Sequence, residues 1–330
     1  MDFKNRVFAA SSADFNALAV ELFNFQYVNN SIYRQYCNAL SIEPDSVNNI
    51  EKIPFLPISF FKSHRVTTTD FEPQCLFESS GTTQSVNSKH FIKEISIYKK
   101  SFLTAFEKFY GPAGKICILG LLPSYLEREN SSLVMMVGEL IKKSNYKQSG
   151  FYLHDYEKLH HTLINNEKLK IPTLLIGVSY ALLDFAEGYG LQLGHTIIME
   201  TGGMKGRREE MTREELHGCL QKNLGINFVH SEYGMTELLS QAYSIGSGIF
   251  SCPAWMKILI RGADDPFYVQ EAASVLKPTT GLVNVIDLTN IYSCCFIATD
   301  DIGRLYPDGG FEILGRMDNS DIRGCSLLAV

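Results

Sequence analysis

Short apolar runs alternate with helical patterns through the middle of the chain. The run at 115–122, KICILGLL, is almost continuously apolar and predicts a buried strand. A helix follows, capped by Ser131 or Ser132 and ending at two lysines whose charge suits a helix C-terminus. Further apolar runs at 173–178 and 196–199 predict two more strands with a helix between them. This alternation is typical of an α/β fold with parallel strands.

Helical patterns also lie on either side of these units. Aromatic and leucine residues at 15–25 recur at helical spacing and predict a helix with Ser12 as its N-cap. Thr212 and Glu215 have the spacing of a capping box, directly before a helix with leucines on one face. A strand is predicted next, at 227–229.

The helical pattern stops near residue 250. Strand patterns joined by Gly, Pro and Asp turns take its place, and they fall at 256–260, 282–288, 294–298 and 311–314. In the third of these, Cys294 and Cys295 are adjacent, so we expect them on opposite faces of a strand. The sequence therefore predicts an α/β domain with parallel strands followed by a smaller β lobe.

Composition narrows the class of protein. The chain has 330 residues, of which 45% are hydrophobic and 20% charged, with a formal net charge of -6. A net negative charge argues against nucleic-acid binding, and no apolar run approaches the roughly 18 residues that a membrane-spanning helix needs. The N-terminus lacks the apolar stretch of an export signal, and the eight cysteines show no framework spacing. We expect a cytoplasmic protein with reduced thiols.

The segment 79–85, SSGTTQS, places five hydroxyls around one glycine. Hydroxyls and accessible backbone N–H groups suit polyphosphate oxygens, and Gly81 permits a close approach. Taken alone, such a loop is more often a surface turn. A second candidate, Gly177-Val178-Ser179-Tyr180-Ala181, imitates a hydrolase nucleophile elbow but lacks the final glycine.

Three later segments change the picture. They are METGGMKG at 199–206, SEYGMTE at 231–237, and TDDIGR at 299–304 with GRMD at 315–318. Together with the loop at 79–85 they resemble, in order and type, the signature segments of the adenylate-forming superfamily. The closer resemblance, over essentially the whole chain, is to the LuxE-type acyl-protein synthetases. It is carried by LPSYLERENSSLVMM, TGGMKGRREEMTREELH, YGMTELLSQAY, FSCPAWMKILIRG and GRMDNSDIRGCSLL.

This resemblance implies an ATP site with Mg²⁺. The residues it would place at the ATP phosphates are Ser79, Ser80, Gly81, Thr82 and Thr83. Gly202 and Gly203 would border the adenine, and Tyr233 would flank its ring. Thr236 would contact the α-phosphate, and Glu237 would bind magnesium; a carboxylate with phosphate oxygens suits this hard cation.

The resemblance also assigns residues nearer the C-terminus. Asp301 would bind the ribose hydroxyls, although Asp300 stands where the family has glycine and is the alternative. Arg316 would lie on the ribose side of a hinge, and Cys325 would accept the acyl group as a thioester. The family's phosphate loop ends in a lysine. Here Asn87 occupies that position, and Lys89, two residues further on, is the candidate to contact the phosphates.

The resemblance implies two segments: an AMP-binding domain at 1–316, and a hinge remnant with a C-terminal tail at 317–330 in place of the superfamily's C-terminal domain. The implied reaction activates a fatty acid, or another small carboxylic acid, as its adenylate and transfers it to a thiol. Partners would be an acyl-acceptor protein, a reductase or carrier, or CoA. A truncated acyl-CoA or carrier-protein ligase and a non-enzymatic binding subunit are the alternatives.

Overall fold

The structure, a computed structural model, describes residues 2–79, 86–123, 130–203, 208–209 and 211–317. Four of the predicted phosphate-binding residues, Ser80, Gly81, Thr82 and Thr83, lie outside these ranges. So does the predicted acyl acceptor, Cys325.

The helices follow the predicted pattern in most places. Within the described ranges the α-helices are α1 Phe3–Ala9, α2 Phe15–Asn29, α3 Ser31–Ala39, α4 Phe60–Ser63, α5 Ile95–Tyr110, α6 Ser132–Lys143, α7 Tyr156–Lys168, α8 Ser179–Gly188 and α9 Arg213–Leu224. Ser131 caps α6, and the capping box of Thr212 and Glu215 opens α9, both as predicted. Ser12 is not an N-cap, because α2 begins at Phe15 with Asp14 in the cap position.

The strands form two main sheets and a hairpin. They are β1 Leu56–Pro57, β2 Cys75–Glu78, β3 Lys89–Ile92, β4 Cys117–Leu121, β5 Gly150–Phe151, β6 Thr173–Val178, β7 Thr196–Thr201, β8 His230–Tyr233, β9 Ala242–Ser244, β10 Met256–Arg261, β11 Val269–Gln270, β12 Thr279–Asp287, β13 Phe296–Leu305 and β14 Phe311–Arg316.

The first sheet has the order β5-β4-β6-β7-β8-β9 and is parallel except for β9. Strands β4, β6 and β7 confirm the predicted apolar runs, and their residues are almost entirely buried. The strand predicted at 227–229 is wrong, because β8 begins three residues later and consists of polar side chains. Ser231 and Glu232 are buried in it, so its hydrophobicity gave no signal.

The second sheet confirms the predicted β lobe. Its order is β1-β13-β12-β10-β11, with β14 on β13, and its pairs are antiparallel except for β1 with β13. The prediction for Cys294 and Cys295 is wrong: β13 begins only at Phe296, and both cysteines are completely buried. The backbone N–H of Cys295 donates to the side chain of Gln26 on α2, which ties the turn to the N-terminal helices.

This topology fixes where a ligand can bind. Strands β6, β7 and β8 are parallel neighbours, so their carboxyl ends meet at one edge of the sheet. In open α/β sheets, ligands bind beyond the carboxyl ends of such strands. The residues that follow β7 and β8, beginning at Gly202 and Gly234, belong to the segments METGGMKG and SEYGMTE, which carry the resemblance to adenylate-forming enzymes.

Candidate active site

Gly202 directly follows β7 in the left-handed backbone region, with φ of 70°, a conformation that glycine adopts at little cost. Its carbonyl accepts a hydrogen bond from the Ser179 hydroxyl at 2.7 Å. Thr201 is in register with Glu232, the residue before Tyr233. Gly203 follows with open space around the position of a side chain. The structure thus brings the predicted adenine-side residues Gly202, Gly203 and Tyr233 to one edge.

Tyr233 contacts the β lobe through its hydroxyl. Its O–H donates to Oδ2 of Asp301 at 2.8 Å, which joins two predicted nucleotide residues that are far apart in the chain. Burial raises the pKa of the Asp301 carboxyl, while the hydrogen bond from Tyr233 and the charge of Arg316 oppose that rise. The ring of Tyr233 packs edge-on against Phe250 and Phe311. Its predicted contact with adenine stays a prediction.

Arg316 stands beside both aspartates at the end of β14. Its Nε is 3.9 Å from Oδ1 of Asp301, and its Nη2 is 4.0 Å from Oδ2 of Asp300. The Arg316 side chain is 60% exposed, so these long ion pairs contribute little to stability. A guanidinium that is exposed and weakly paired remains available to an anionic ligand.

Glu237 is 5% exposed, and burial raises the pKa of its carboxyl. A hydrogen bond with the Ser88 side chain, and then the positive charges of Arg316 and Lys62, favour the ionised form. Thr236, the preceding residue, is partly buried. The arrangement places one carboxylate next to Ser88, near the predicted phosphate loop, which fits Mg²⁺ bound by one carboxylate and substrate phosphates. Within the described ranges, no group of three or more His, Cys, Asp or Glu residues is placed to hold a metal ion.

The residues on either side of the predicted phosphate loop are held together. The backbone N–H of Ser79 donates to the carbonyl of Ser88 at 3.1 Å, and the N–H of Ser88 donates to Oγ of Ser79 at 2.9 Å. The Ser88 side chain is also among the groups that lower the pKa of Glu237, so the base of the loop and the predicted magnesium ligand are neighbours. Lys89 is exposed on β3, opposite Glu78.

Sequence reasoning gave no role to Ser88, Lys62 or Glu232. Glu232 is buried on β8 and bonded by the Thr201 hydroxyl, and burial raises its pKa to about 7. The sequence could have indicated Glu232, because it lies inside the segment SEYGMTE. Nothing in the sequence indicates a role for Ser88 or Lys62, because only the fold brings them close to Glu237.

Ser179 does not have the contacts of a catalytic nucleophile. Its hydroxyl donates to the carbonyl of Gly202 at 2.7 Å and to Oε2 of Glu200 at 3.3 Å. A nucleophilic serine instead donates to an imidazole base. The geometry therefore makes Ser179 a support for Gly202.

We expect Ser179→Ala to remain active, with at most a several-fold rise in the KM for ATP, because one such hydrogen bond contributes about 1 kcal/mol. Steady-state kinetics on the variant, with circular dichroism to verify its fold, would check this. Complete loss of activity in a folded Ser179→Ala protein would bring the hydrolase alternative back.

Asp301→Ala should raise the KM for ATP by about tenfold or more and leave the KM for the acid within about twofold. Ribose contacts are shared by the ground and transition states, and a hydrogen bond to a charged group contributes about 1.5–3 kcal/mol. Because Asp301→Ala also leaves the buried Tyr233 hydroxyl without its partner, thermal unfolding should accompany the kinetics. Asp300→Ala is the matched control. If that variant shows the ATP effect and Asp301→Ala does not, the ribose carboxylate is Asp300.

The family model of LuxE, described as acyl-protein synthetase, matches residues 8–329 of this chain. The chain belongs to the LuxE acyl-protein synthetase family. This confirms the predicted family and the prediction that the protein is an enzyme of the ATP-dependent acid-ligase type.

Curated relatives agree with this assignment. The chain is 26% identical over 340 residues to a long-chain-fatty-acid–luciferin-component ligase of Aliivibrio fischeri, covering 94% of this chain and 86% of the relative. It is 24% identical over 334 residues to the ligase of the same name from Vibrio harveyi, covering 92% and 84%.

Solved structures show the fold. An o-succinylbenzoate coenzyme A synthetase of Bacillus subtilis, in complex with ATP and magnesium ion, matches with a TM-score of 0.51 at 18% identity, over 76% of this chain and 51% of that one. A long-chain-fatty-acid-CoA ligase of Archaeoglobus fulgidus matches with a TM-score of 0.50 at 14% identity, over 73% and 51%. The chain spans about half the length of these two enzymes. The predicted adenylate-forming fold is confirmed.

Among the described residues, none of the helices combines the length and the apolar character needed to cross a bilayer.

Proposed function

We propose that this chain activates a carboxylic acid as its acyl-adenylate with ATP and Mg²⁺ and passes the acyl group to a thiol. A long-chain fatty acid is the favoured substrate class, on the strength of the family and of the curated relatives' names. The observation that supports the proposal most is the meeting of Tyr233, Asp301, Arg316 and Glu237 beyond the carboxyl ends of the parallel strands.

In the first step a carboxylate oxygen of the acid attacks the α-phosphorus of ATP. The α-phosphorus–oxygen bond to pyrophosphate breaks, and pyrophosphate leaves. The chain holds the reactants in line: Asp301 binds the ribose, Gly202 and Gly203 border the adenine, and the loop beginning at Ser79 holds the phosphates. Such positioning, with stabilisation of the phosphate charge, is the main contribution that a protein makes to phosphoryl-type transfer.

Glu237 would hold the magnesium ion, and the Ser88 side chain favours the ionised form of its carboxylate. When bound, Mg²⁺ neutralises charge on the leaving pyrophosphate. Thr236 contacts the α-phosphate. Arg316 lies at the exposed side of this cluster, where its charge faces the ribose and phosphate side of the nucleotide.

In the second step a thiolate attacks the acyl carbonyl, and AMP leaves with the oxygen that joined it to the acyl group. We assign that thiolate to Cys325, in the tail segment 317–330 that follows the AMP-binding domain at 1–316. The acyl group then passes to an acceptor protein, a reductase or a carrier. We propose that this reaction takes place in the cytoplasm.

Acid-dependent exchange of labelled pyrophosphate into ATP tests this proposal across a panel of fatty, branched and aromatic acids. We expect exchange that requires the acid and magnesium and is strongest with long-chain fatty acids. Acyl consumption that depends on CoA, with no protein-bound acyl group, would instead indicate an acyl-CoA ligase. The absence of exchange with every acid would contradict acid activation.

A further inference from the structure

The segment that carries Thr236 and Glu237 is fixed by buried side chains from two other parts of the chain. Nδ1 of His90, on β3, lies 2.9 Å from the carbonyl oxygen of Thr236. The side-chain amide of Asn290, just after β12, donates to the carbonyl oxygen of Glu237 at 2.9 Å. The carbonyls of two successive residues are thus each held by a buried side chain.

Asp287 extends the same support along the segment. Its Oδ2 accepts the backbone N–H groups of Leu239 at 2.8 Å and of Ser240 at 3.0 Å, and its Oδ1 accepts the Ser240 hydroxyl at 2.7 Å. Asp287 and Asn290 belong to one turn, because the N–H of Asn290 donates to the carbonyl of Asp287 at 3.1 Å. This turn and His90 together hold four backbone groups between residues 236 and 240.

The protonation of His90 follows from its contacts. A carbonyl oxygen only accepts, so Nδ1 carries the hydrogen and Nε2 of the neutral ring is an acceptor. Burial lowers the pKa of His90 to about 4, so the ring is neutral near pH 7. His90 is therefore a fixed neutral donor to Thr236 under ordinary conditions.

His90 and Asn290 also border one small pocket. Within the described part of the chain, Nε2 of His90, Oδ1 of Asn290 and Oγ of Ser293 are buried and have no hydrogen-bond partner. All three residues line this pocket, which is partly open to solvent. Since Nε2 and Oδ1 both accept, a small donor such as water suits this pocket.

We propose that His90 and Asn290 are positioning residues for the acid-activation step, holding the Thr236–Glu237 backbone so that the Glu237 carboxylate meets magnesium at the ATP phosphates. This inference rests on the proposed function. Neither residue contacts the substrates in this account, since both act through the two carbonyls.

Three variants separate positioning from general stability. His90→Leu removes the donor to Thr236, His90→Asn keeps it because the asparagine amide can take the place of Nδ1, and Asn290→Leu removes the donor to Glu237. His230→Leu is the control, because His230 is a less buried histidine on β8 that is bonded instead to the Tyr110 hydroxyl at 3.2 Å.

Pyrophosphate exchange should be measured against magnesium concentration and against acid concentration. We expect His90→Leu and Asn290→Leu to raise half-saturation by magnesium about tenfold, as loss of one buried hydrogen bond predicts, with the KM for the acid within about twofold. His90→Asn should recover most of this loss, and His230→Leu should show none of it. Hydrogen exchange should show faster amide exchange at 236–240 in the two leucine variants.

The outcomes are distinguishable. No exchange by the wild-type protein with any acid would overturn the proposed function and, with it, this role of His90 and Asn290. Wild-type exchange together with unchanged magnesium dependence in folded His90→Leu and Asn290→Leu would overturn the positioning role alone. If His90→Leu does not fold, the magnesium dependence of Asn290→Leu and His90→Asn tests the positioning role instead. A loss in His90→Asn as large as in His90→Leu would also count against it.

Discussion

Glu237→Gln should lower acid-dependent pyrophosphate exchange at least about a hundredfold at limiting magnesium. Replacing the carboxylate removes the only anionic ligand that the account assigns to the metal, and loss of one such electrostatic contact to a developing charge costs on the order of 10²–10³ in rate. The fold should survive. Burial raises the pKa of Glu237, so its carboxylate is already unfavourable to folding at neutral pH, and the neutral amide has nearly the same shape.

The control for this substitution is Glu139→Gln on α6, where the carboxylate pairs with Lys99 and Lys142 on the protein surface. It should leave the magnesium dependence unchanged. Raising magnesium should recover part of the activity of Glu237→Gln. Exchange at the wild-type rate in Glu237→Gln, at limiting magnesium, would contradict the assignment of Glu237 as metal ligand.

Incubation of the wild-type protein with ATP and a labelled fatty acid should give a hydroxylamine-labile protein adduct, and Cys325→Ser should lose it completely. Pyrophosphate exchange should persist, because the serine variant still forms the adenylate. In the sequence, Arg323 stands two positions before Cys325, and a positive charge close to a cysteine favours the thiolate, which is the nucleophilic form. By contrast, burial raises the pKa of Cys37 and of Cys252 to about 12, so these thiols are poor nucleophiles.

Cys219→Ser is the matched control for this experiment. Cys219 lies partly exposed on α9 and should be dispensable for the adduct. An adduct that persists in Cys325→Ser but disappears in Cys219→Ser would show that Cys219, and not Cys325, accepts the acyl group. If no adduct forms and CoA accepts the acyl group directly, the protein is an acyl-CoA ligase.

The fold was predictable where side-chain polarity follows secondary structure. The apolar strand at 173–178 and the capping box at Thr212 were predicted at the residues where they occur. Strand β8 was misplaced because its central residues, Ser231 and Glu232, are buried polar groups at the candidate site. Strand β13 continues through Asp300 and Asp301, although the predicted strand ended at residue 298. Aspartate has a weak strand propensity, but here pairing with β12 and β14 outweighs it.

The candidate site was predictable as residue types in order, but not as geometry. The contact between Tyr233 and Asp301, and the one between His90 and Thr236, join segments 68 and 146 residues apart. Neither His90 nor Asn290 belongs to a signature segment, and their importance depends on which backbone groups the fold brings to them. The four phosphate-loop residues from Ser80 to Thr83 and the acyl acceptor Cys325 stay predictions from the sequence.

The central claim, that a carboxylate oxygen attacks the α-phosphorus of ATP, is tested most directly with a long-chain fatty acid whose carboxyl oxygens are both ¹⁸O. The protein is incubated with ATP, magnesium and this acid, with hydroxylamine to release the acyl group, and the products are analysed by mass spectrometry. We expect one ¹⁸O atom in each AMP formed and none in pyrophosphate. ADP together with ¹⁸O-labelled phosphate would show attack at the γ-phosphorus and would contradict the account.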